Sequence, residues 1–284
     1  MISKIRDIST QLQAAYPKDE AEALAWWIAE ETTGLSRTQL LCGYKGTTNF
    51  PHMQEIISRL LHFEPIQYIF GHTLWCGLDL KVSPATLIPR PETAELIDRI
   101  LNTEYRIQTD HPFRVLDIGT GSGCIAIALK KAHPEWQVTG LDISEEALEI
   151  AKENAQHNGV EVVFKQLDIF SDEIEKNHQS PITNHQYDLV VSNPPYICEK
   201  EKNQMRRNVL DYEPATALFV PDEDPLLFYR RIAQLRMGKY LFFEINEAYA
   251  EELEEMLSQF GYTDIQITND IYGKPRIIEG RMVG

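Results

Sequence analysis

The chain has 284 residues, of which 43% are hydrophobic and 25% charged, a make-up that suits a globular protein of one large domain or two smaller ones. Its formal net charge of -16 argues against a phosphate backbone as the main partner, because that affinity comes mostly from Lys and Arg. Four scattered cysteines suggest neither a zinc site nor a disulfide framework, and neither a signal peptide nor a membrane-spanning run is evident, so a monomer of the reducing cytoplasm is expected, without membrane or stable nucleic-acid association.

Residues 1–70 read as helices. Ile5, Ile8, Leu12 and Tyr16 fall at helical spacing, and Pro17 stops that run. Residues 21–31 are alanine-rich around Trp26-Trp27. Residues 53–63 place Ile56, Ile57, Leu60 and Leu61 on one side. No strand signal interrupts them, so a small all-α bundle is predicted, with the tryptophans in its core. Residues 71–91 form a connector. Leu74-Trp75-Cys76 and residues 78–82 flank Gly77 as a hairpin, and Ile88-Pro89-Arg90-Pro91 is rigid punctuation. A helix over 92–101 follows, with Glu92 or Thr93 near its start.

From Phe113 onward strands and helices alternate. Arg114 to Ile118 is a strand, residues 119–123 are a glycine turn, and residues 124–132 are an apolar helix. A second strand ends at Asp142. Ser144 caps a helix that reaches His157, and a third strand leads to Asp168. The strand 187–192 precedes Asn193-Pro194-Pro195-Tyr196. A helix over 226–236, a strand over 240–245, a helix over 250–260 and two strand-like terminal runs complete the chain. Residues 92–284 therefore predict an α/β domain with a mostly parallel sheet, covered on both faces and closed by an antiparallel edge hairpin. Residues 171–186, with His178 and His185, read as a solvated loop. Residues 197–222, with Lys200, Lys202, Arg206 and Arg207, read as a long loop suited to covering a substrate.

A glycine turn after a first strand sets backbone N–H groups and a helix start above the sheet. Here an acid precedes it, in the pattern Asp117-x-Gly119-x-Gly121-x-Gly123. At the mouth a carboxylate repels phosphate but attracts an ammonium or sulfonium group. Asp142 at the second strand end can take ribose hydroxyls, and Asp168 at the third can receive an adenine amino group. Asn193 ends the fourth strand. This set fits S-adenosylmethionine better than a nicotinamide dinucleotide. The two prolines stiffen the loop after Asn193 and leave its carbonyls free to accept, while Tyr196 offers a flat face. Stiff acceptors beside a ring suit a planar NH2 group.

These residues carry a resemblance. Glu64-Pro65 with Tyr68 and Gly71, residues 87–93 (Leu-Ile-Pro-Arg-Pro-Glu-Thr), residues 115–123, Asp142, Asp168, residues 192–197, Tyr212-Glu213-Pro214 with Ala217-Leu218, and Asp270 with Gly273 and Arg276 span nearly the whole chain. So read, the sequence resembles the HemK/PrmC family, the peptide chain release factor N5-glutamine methyltransferases. The resemblance implies a class I, Rossmann-like methyltransferase domain using S-adenosylmethionine and releasing S-adenosylhomocysteine. It also implies that the helical domain helps recognise a release factor, whose Gly-Gly-Gln glutamine is methylated. Cofactor binding would fall to Asp117, Gly119, Thr120, Gly121, Ser122 and Gly123, together with Asp142, Ile143, Asp168, Ile169 and Asn193. Asn193, Pro194 and Tyr196 would be catalytic, with Pro195 and Arg90 also meeting the substrate, and no metal is implied. The chain departs from the family pattern at Asn246-Glu247-Ala248-Tyr249, where a glycine is common, and at Asp224-Pro225.

A carboxamide nitrogen is a poor nucleophile. Asn193 Oδ1 and the Pro194 carbonyl could accept its two N–H bonds and aim its lone pair, which makes catalysis mostly positioning. The rival readings are an amino-group methyltransferase acting on a flipped base of DNA or RNA, and a non-catalytic ligand-binding protein on the same fold.

Overall fold

The computed structural model describes residues 1–43, 51–103, 111–171 and 187–282, and the histidines His178 and His185 lie outside them. The chain divides into two compact units, one of Met1–Gly71 with Arg206–Tyr212, the other of His72–Met205 with Glu213–Gly284.

The first unit is helical. Its long elements are α1 (Ile2–Leu12), α2 (Lys18–Thr33) and α4 (Met53–Leu61), with the single turns α3 (Arg37–Leu41) and α5 (Ile66–Phe70). Gly34, at φ 67°, closes α2 in the left-handed region that glycine favours. Ser36 and Gln39 form a reciprocal cap at the start of α3. The apolar stripes meet in a core of Ile5, Ile8, Leu12, Ala25, Ile28 and Leu60, with Trp26 buried and Trp27 packed against it. Each fully buried Leu or Ile contributes roughly 1.5–3 kcal/mol. Tyr16 ties this core to α4 by donating its hydroxyl to the Leu60 carbonyl at 2.7 Å. Tyr212 donates to the His62 carbonyl, and the Arg207 guanidinium lies over the Phe63 ring.

The second unit opens with the hairpin β1 (His72–Trp75) and β2 (Leu78–Lys81), turned at Cys76 and Gly77. Helix α6 (Pro91–Asn102) follows, with Pro91 at its first position, where the missing N–H costs nothing. Strands β3 (Arg114–Ile118), β4 (Gln137–Asp142), β5 (Val163–Gln166), β6 (Tyr187–Ser192) and β9 (Gly238–Glu244) run parallel. Strands β10 (Tyr262–Asn269) and β11 (Pro275–Met282) add an antiparallel edge, and the seven strands lie in the order β10-β11-β9-β6-β3-β4-β5. Helices α7 (Cys124–Ala132), α8 (Glu145–His157), α10 (Leu227–Leu235) and α11 (Ala250–Gln259) accompany them. The stretch after Tyr196, expected as a long substrate-covering loop, carries short regular elements. Strand β7 (Ile197–Cys198) pairs in parallel with β8 (Phe219–Val220), and the short helix α9 (Arg207–Leu210) lies between them in sequence.

Alternate residues along each central strand serve two cores. Val115, Leu189, Val191 and Phe242 pack with Leu96 and Ile97 of α6 and Ile125 and Leu129 of α7. Leu116, Ile118, Val190, Leu241 and Phe243 pack with Tyr229 and Ile232 of α10 and Leu253 and Leu257 of α11. This parity decides where polar residues at the strand ends project. Asp117, Asn193 and Glu244 all share the face of α6 and α7. The strand order reverses at β3, flanked by β4 and β6, so the crevice of the sheet lies beyond the carboxyl ends of β3 and β6. Among the described residues no helix is long and apolar enough to cross a membrane, and no His, Cys, Asp and Glu cluster could hold a metal ion.

Candidate functional site

The glycine loop follows β3. Gly119 and Thr120 both donate their N–H groups to the Leu141 carbonyl, at 2.8 and 2.9 Å, so the loop folds back over β4. Gly119 sits at φ 71° with open space around its Cα, leaving backbone exposed for close approach. Gly123, at φ 81°, begins α7 and is enclosed. A Cβ there would lie 3.1 Å from Ala151 Cβ and from Ile127 Cδ1.

Asp117 does not lie open at the mouth, as the sequence reading expects. It is 0% exposed, because its strand position turns it beneath the loop toward the α7 layer. Thr120 Oγ1 donates to its Oδ2 at 2.6 Å, while Oδ1 has no hydrogen-bond partner within bonding geometry among the described residues. Burial pushes its carboxyl from 3.8 up to about 7, partly offset by the Thr120 hydroxyl. Ser122 is buried, and its carbonyl accepts from Asn154 Nδ2 at 2.9 Å. Asn154, on α8, also exchanges bonds with both backbone groups of Lys81, which staples the end of the hairpin to the glycine loop.

Asp142 ends β4 with both oxygens engaged. Oδ2 accepts from the Gly121 N–H at 2.8 Å, and Oδ1 from the Ser144 N–H at 2.9 Å. A carboxylate has about four lone-pair sites, so each oxygen retains acceptor capacity for a further donor. Ile143 beside it is 60% exposed. Asp168 lies two residues past β5. Its Oδ1 accepts from the Phe170 N–H, and its Oδ2 has no partner among the described residues. Ile169 is buried in the core on the α10 side.

At the end of β6, Asn193 Nδ2 donates to Thr93 Oγ1 at 3.2 Å. Thr93 donates to Glu244 Oε2 at 2.6 Å, and Tyr196 donates to Glu244 Oε1 at 3.0 Å. Asn193 Oδ1 takes no hydrogen bond among the described residues and is not sealed from solvent. No described donor reaches the Pro194 carbonyl. Pro194 is buried and Pro195 half-buried. Burial pushes the Glu244 carboxyl up, opposed by the Thr93 and Tyr196 hydroxyls and by Arg276. Burial also raises the Tyr196 phenol, and the Glu244 charge adds to that shift. Arg276 is itself held by Asp270, whose Oδ2 accepts from Nη2 at 3.2 Å.

Arg90 Nη2 donates to Glu213 Oε1 at 2.7 Å, and Glu213 Oε2 accepts from the Ile88 N–H. The proline-rich segment and the Tyr-Glu-Pro segment therefore meet through one buried carboxylate. The structure brings Asp117, Asp142, Asn193 and the glycine loop to one end of the sheet. Sequence reasoning missed Thr93, Glu244, Asn154 and Gly140, where a Cβ would come within 2.8 Å of Phe164 and of Thr120 Oγ1. One signal was available: an acid, Glu244, closing the apolar run Leu241-Phe242-Phe243.

Residues 4–71 match the family described as PrmC N-terminal domain, and residues 99–212 match the methyltransferase small domain. A release factor glutamine methyltransferase of Bacteroides thetaiotaomicron is 45% identical over 95% of this chain and 96% of its own. The chain belongs to the release factor glutamine methyltransferase family. The relative from Flavobacterium psychrophilum is 38% identical over 94% of both chains, and that from Geobacter sulfurreducens 32% over 99% and 96%. Among solved structures, the hMettl16 catalytic domain in complex with a MAT2A 3'UTR hairpin superposes with a TM-score of 0.54. It is 18% identical over 73% of this chain and 77% of that one, a likeness of fold alone. As a release factor glutamine methyltransferase family member, the chain is an enzyme on a methyltransferase fold.

Proposed function

We propose that this chain transfers the methyl group of S-adenosylmethionine to the side-chain amide nitrogen of the glutamine in the Gly-Gly-Gln motif of peptide chain release factors. The observation that carries the reading is the pair of open acceptors at the end of β6, Asn193 Oδ1 and the Pro194 carbonyl. A primary amide has two N–H donors in one plane, and two fixed acceptors orient it. That fixes the nitrogen before reaction, the kind of positioning from which roughly 7–11 kcal/mol is available in favourable cases. Tyr196, tethered through its hydroxyl, offers its ring to the amide plane. Pro195 stiffens the loop, and Arg90, with one N–H committed to Glu213, keeps other donors for substrate.

The residues present fit the cofactor. Gly119 leaves uncovered backbone, Asp142 keeps acceptor capacity for ribose hydroxyls, and Asp168 Oδ2 is open to an amino group. Thr120, Gly121, Ser122 and Gly123 shape the loop, and exposed Ile143 would flank a base, whereas Ile169 packs into the core beneath. Asp117 would act from beneath, holding Thr120. S-adenosylmethionine, when bound, supplies the methyl group. Residues 1–70 would recognise the release factor, residues 71–91 serving as connector and residues 92–284 holding the chemistry.

The test is incubation with methyl-labelled S-adenosylmethionine and purified release factor, followed by mass mapping, with DNA and RNA as parallel acceptors. Label on the Gly-Gly-Gln glutamine is expected. Transfer to nucleic acid with none to release factor would overturn the reading.

A further inference from the structure

We infer that Thr93, held by Glu244, is a positioning residue that sets which way round the Asn193 carboxamide stands and so presents Oδ1, rather than Nδ2, to the substrate. The inference rests on the proposed substrate amide only for the meaning of that orientation, while the orientation itself follows from the protein.

The two ends of an asparagine amide have nearly the same shape, so only hydrogen bonding fixes its orientation. An ionised carboxylate only accepts. Both Glu244 oxygens are engaged, Oε2 by Thr93 at 2.6 Å and Oε1 by Tyr196 at 3.0 Å. Each hydroxyl must therefore give Glu244 its single proton. Thr93 Oγ1 then has only lone pairs left for Asn193, 3.2 Å away, and the asparagine must answer with Nδ2. The flipped amide would face Oδ1 to Thr93 Oγ1 with no proton between them. Oδ1 is thereby directed away from Thr93 and stays an open acceptor.

The surroundings keep this order in place. Thr93 and Glu244 are 2% and 1% exposed, so water is not available to replace either bond. Burial raises the Glu244 carboxyl, and the two hydroxyls that donate to it, with Arg276, act against that shift in favour of the ionised form, while the Tyr229 hydroxyl donates to the Glu244 main-chain carbonyl. Pro91 fixes the start of α6 and so places Thr93 in its first turn. The first turn of α6 thus acts on Asn193 through one hydroxyl.

Two variants and one spectroscopic readout test this. Thr93→Val keeps the shape and removes the hydroxyl, while Thr93→Ser keeps the hydroxyl. With release factor as substrate, Thr93→Val is expected to lower kcat about tenfold or more, with S-adenosylmethionine affinity within about twofold, and Thr93→Ser to recover most of the loss. In asparagine-selective 15N spectra, the Asn193 side-chain pair, assigned by its loss in Asn193→Ala, is expected to keep its shifts and its slow exchange with solvent in the parent and in Thr93→Ser, and to shift and exchange faster with solvent in Thr93→Val. Should Thr93→Val not fold, Glu244→Gln tests the same order, because its NH2 group displaces one acceptor and the Asn193 pair should again shift. Parental kcat in Thr93→Val, or an unchanged Asn193 pair in Thr93→Val or in Glu244→Gln, would overturn the inference. Failure of the parent to methylate release factor would instead sink the functional reading, and the spectra would still decide the orientation.

Discussion

Asp117 makes the stability of the second unit depend on pH. Its carboxyl titrates at 3.8 in an exposed chain and at about 7 in the fold, because burial removes the solvation of its charged form. The native state therefore binds more protons than the unfolded state between these values, and stability falls as pH rises through that interval. The linkage relation gives a penalty of roughly 2 kcal/mol at pH 5 and roughly 4 kcal/mol at pH 8, so about 2–3 kcal/mol should disappear between them. Asp117→Asn keeps an acceptor for the Thr120 hydroxyl and does not titrate. Denaturant unfolding of parent and variant at several pH values from 5 to 8 checks this, and the difference between the two curves cancels His and Glu244 contributions. Parent stability should decline relative to the variant by about 2–3 kcal/mol across the range. Parallel curves would refute the argument, since they would mean that Asp117 keeps an ordinary carboxylate affinity for protons in the fold.

Asp142→Ala should weaken S-adenosylmethionine binding by about 1.5–3 kcal/mol in a folded protein, measured by calorimetry. It should also loosen the Gly121 end of the glycine loop, whose N–H loses its acceptor. Asn193→Ala should lower kcat while S-adenosylmethionine still binds, and Asn193→Asp should keep more activity than Ala because an acceptor remains, both read by single-turnover methylation. Glu213→Gln leaves Arg90 without its charge partner. Since Arg90 is partly exposed, the loss should be modest, about 1–2 kcal/mol by thermal or denaturant unfolding, with greater protease sensitivity around residues 87–93.

Local chemistry made much of the site legible. A glycine turn after an apolar strand, with acids closing the following strands, is a pattern in which each part is a short local signal, one strand and the residues at its end. The antiparallel edge was likewise visible in the terminal runs, and β11 does pair with β9. What sequence could not supply were partnerships across long separations. Thr93 lies 100 residues from Asn193 and 151 from Glu244, and no local periodicity links them. Asp117 was read as an exposed charge because its place at a strand end was visible, whereas its direction depended on which face α7 covers. Gly140 gave no signal at all, since the side chains that exclude a Cβ there come from β5 and the glycine loop.

Tyr212 and Glu213 share a peptide bond but belong to different units. The polypeptide thus passes between the units three times, after Gly71, after Met205 and after Tyr212. For recombination this means that the helical unit is not a detachable cassette ending at residue 71. A hybrid that exchanged residues 1–71 alone would keep the host's residues 206–212 beside a foreign set of partners, losing the matches of Arg206 with Glu20, Arg207 with Phe63 and Tyr212 with His62. A transplant that carries both pieces should express and melt as a better folded protein than one that carries the first alone, and substitutions accepted in one piece should depend on what stands in the other.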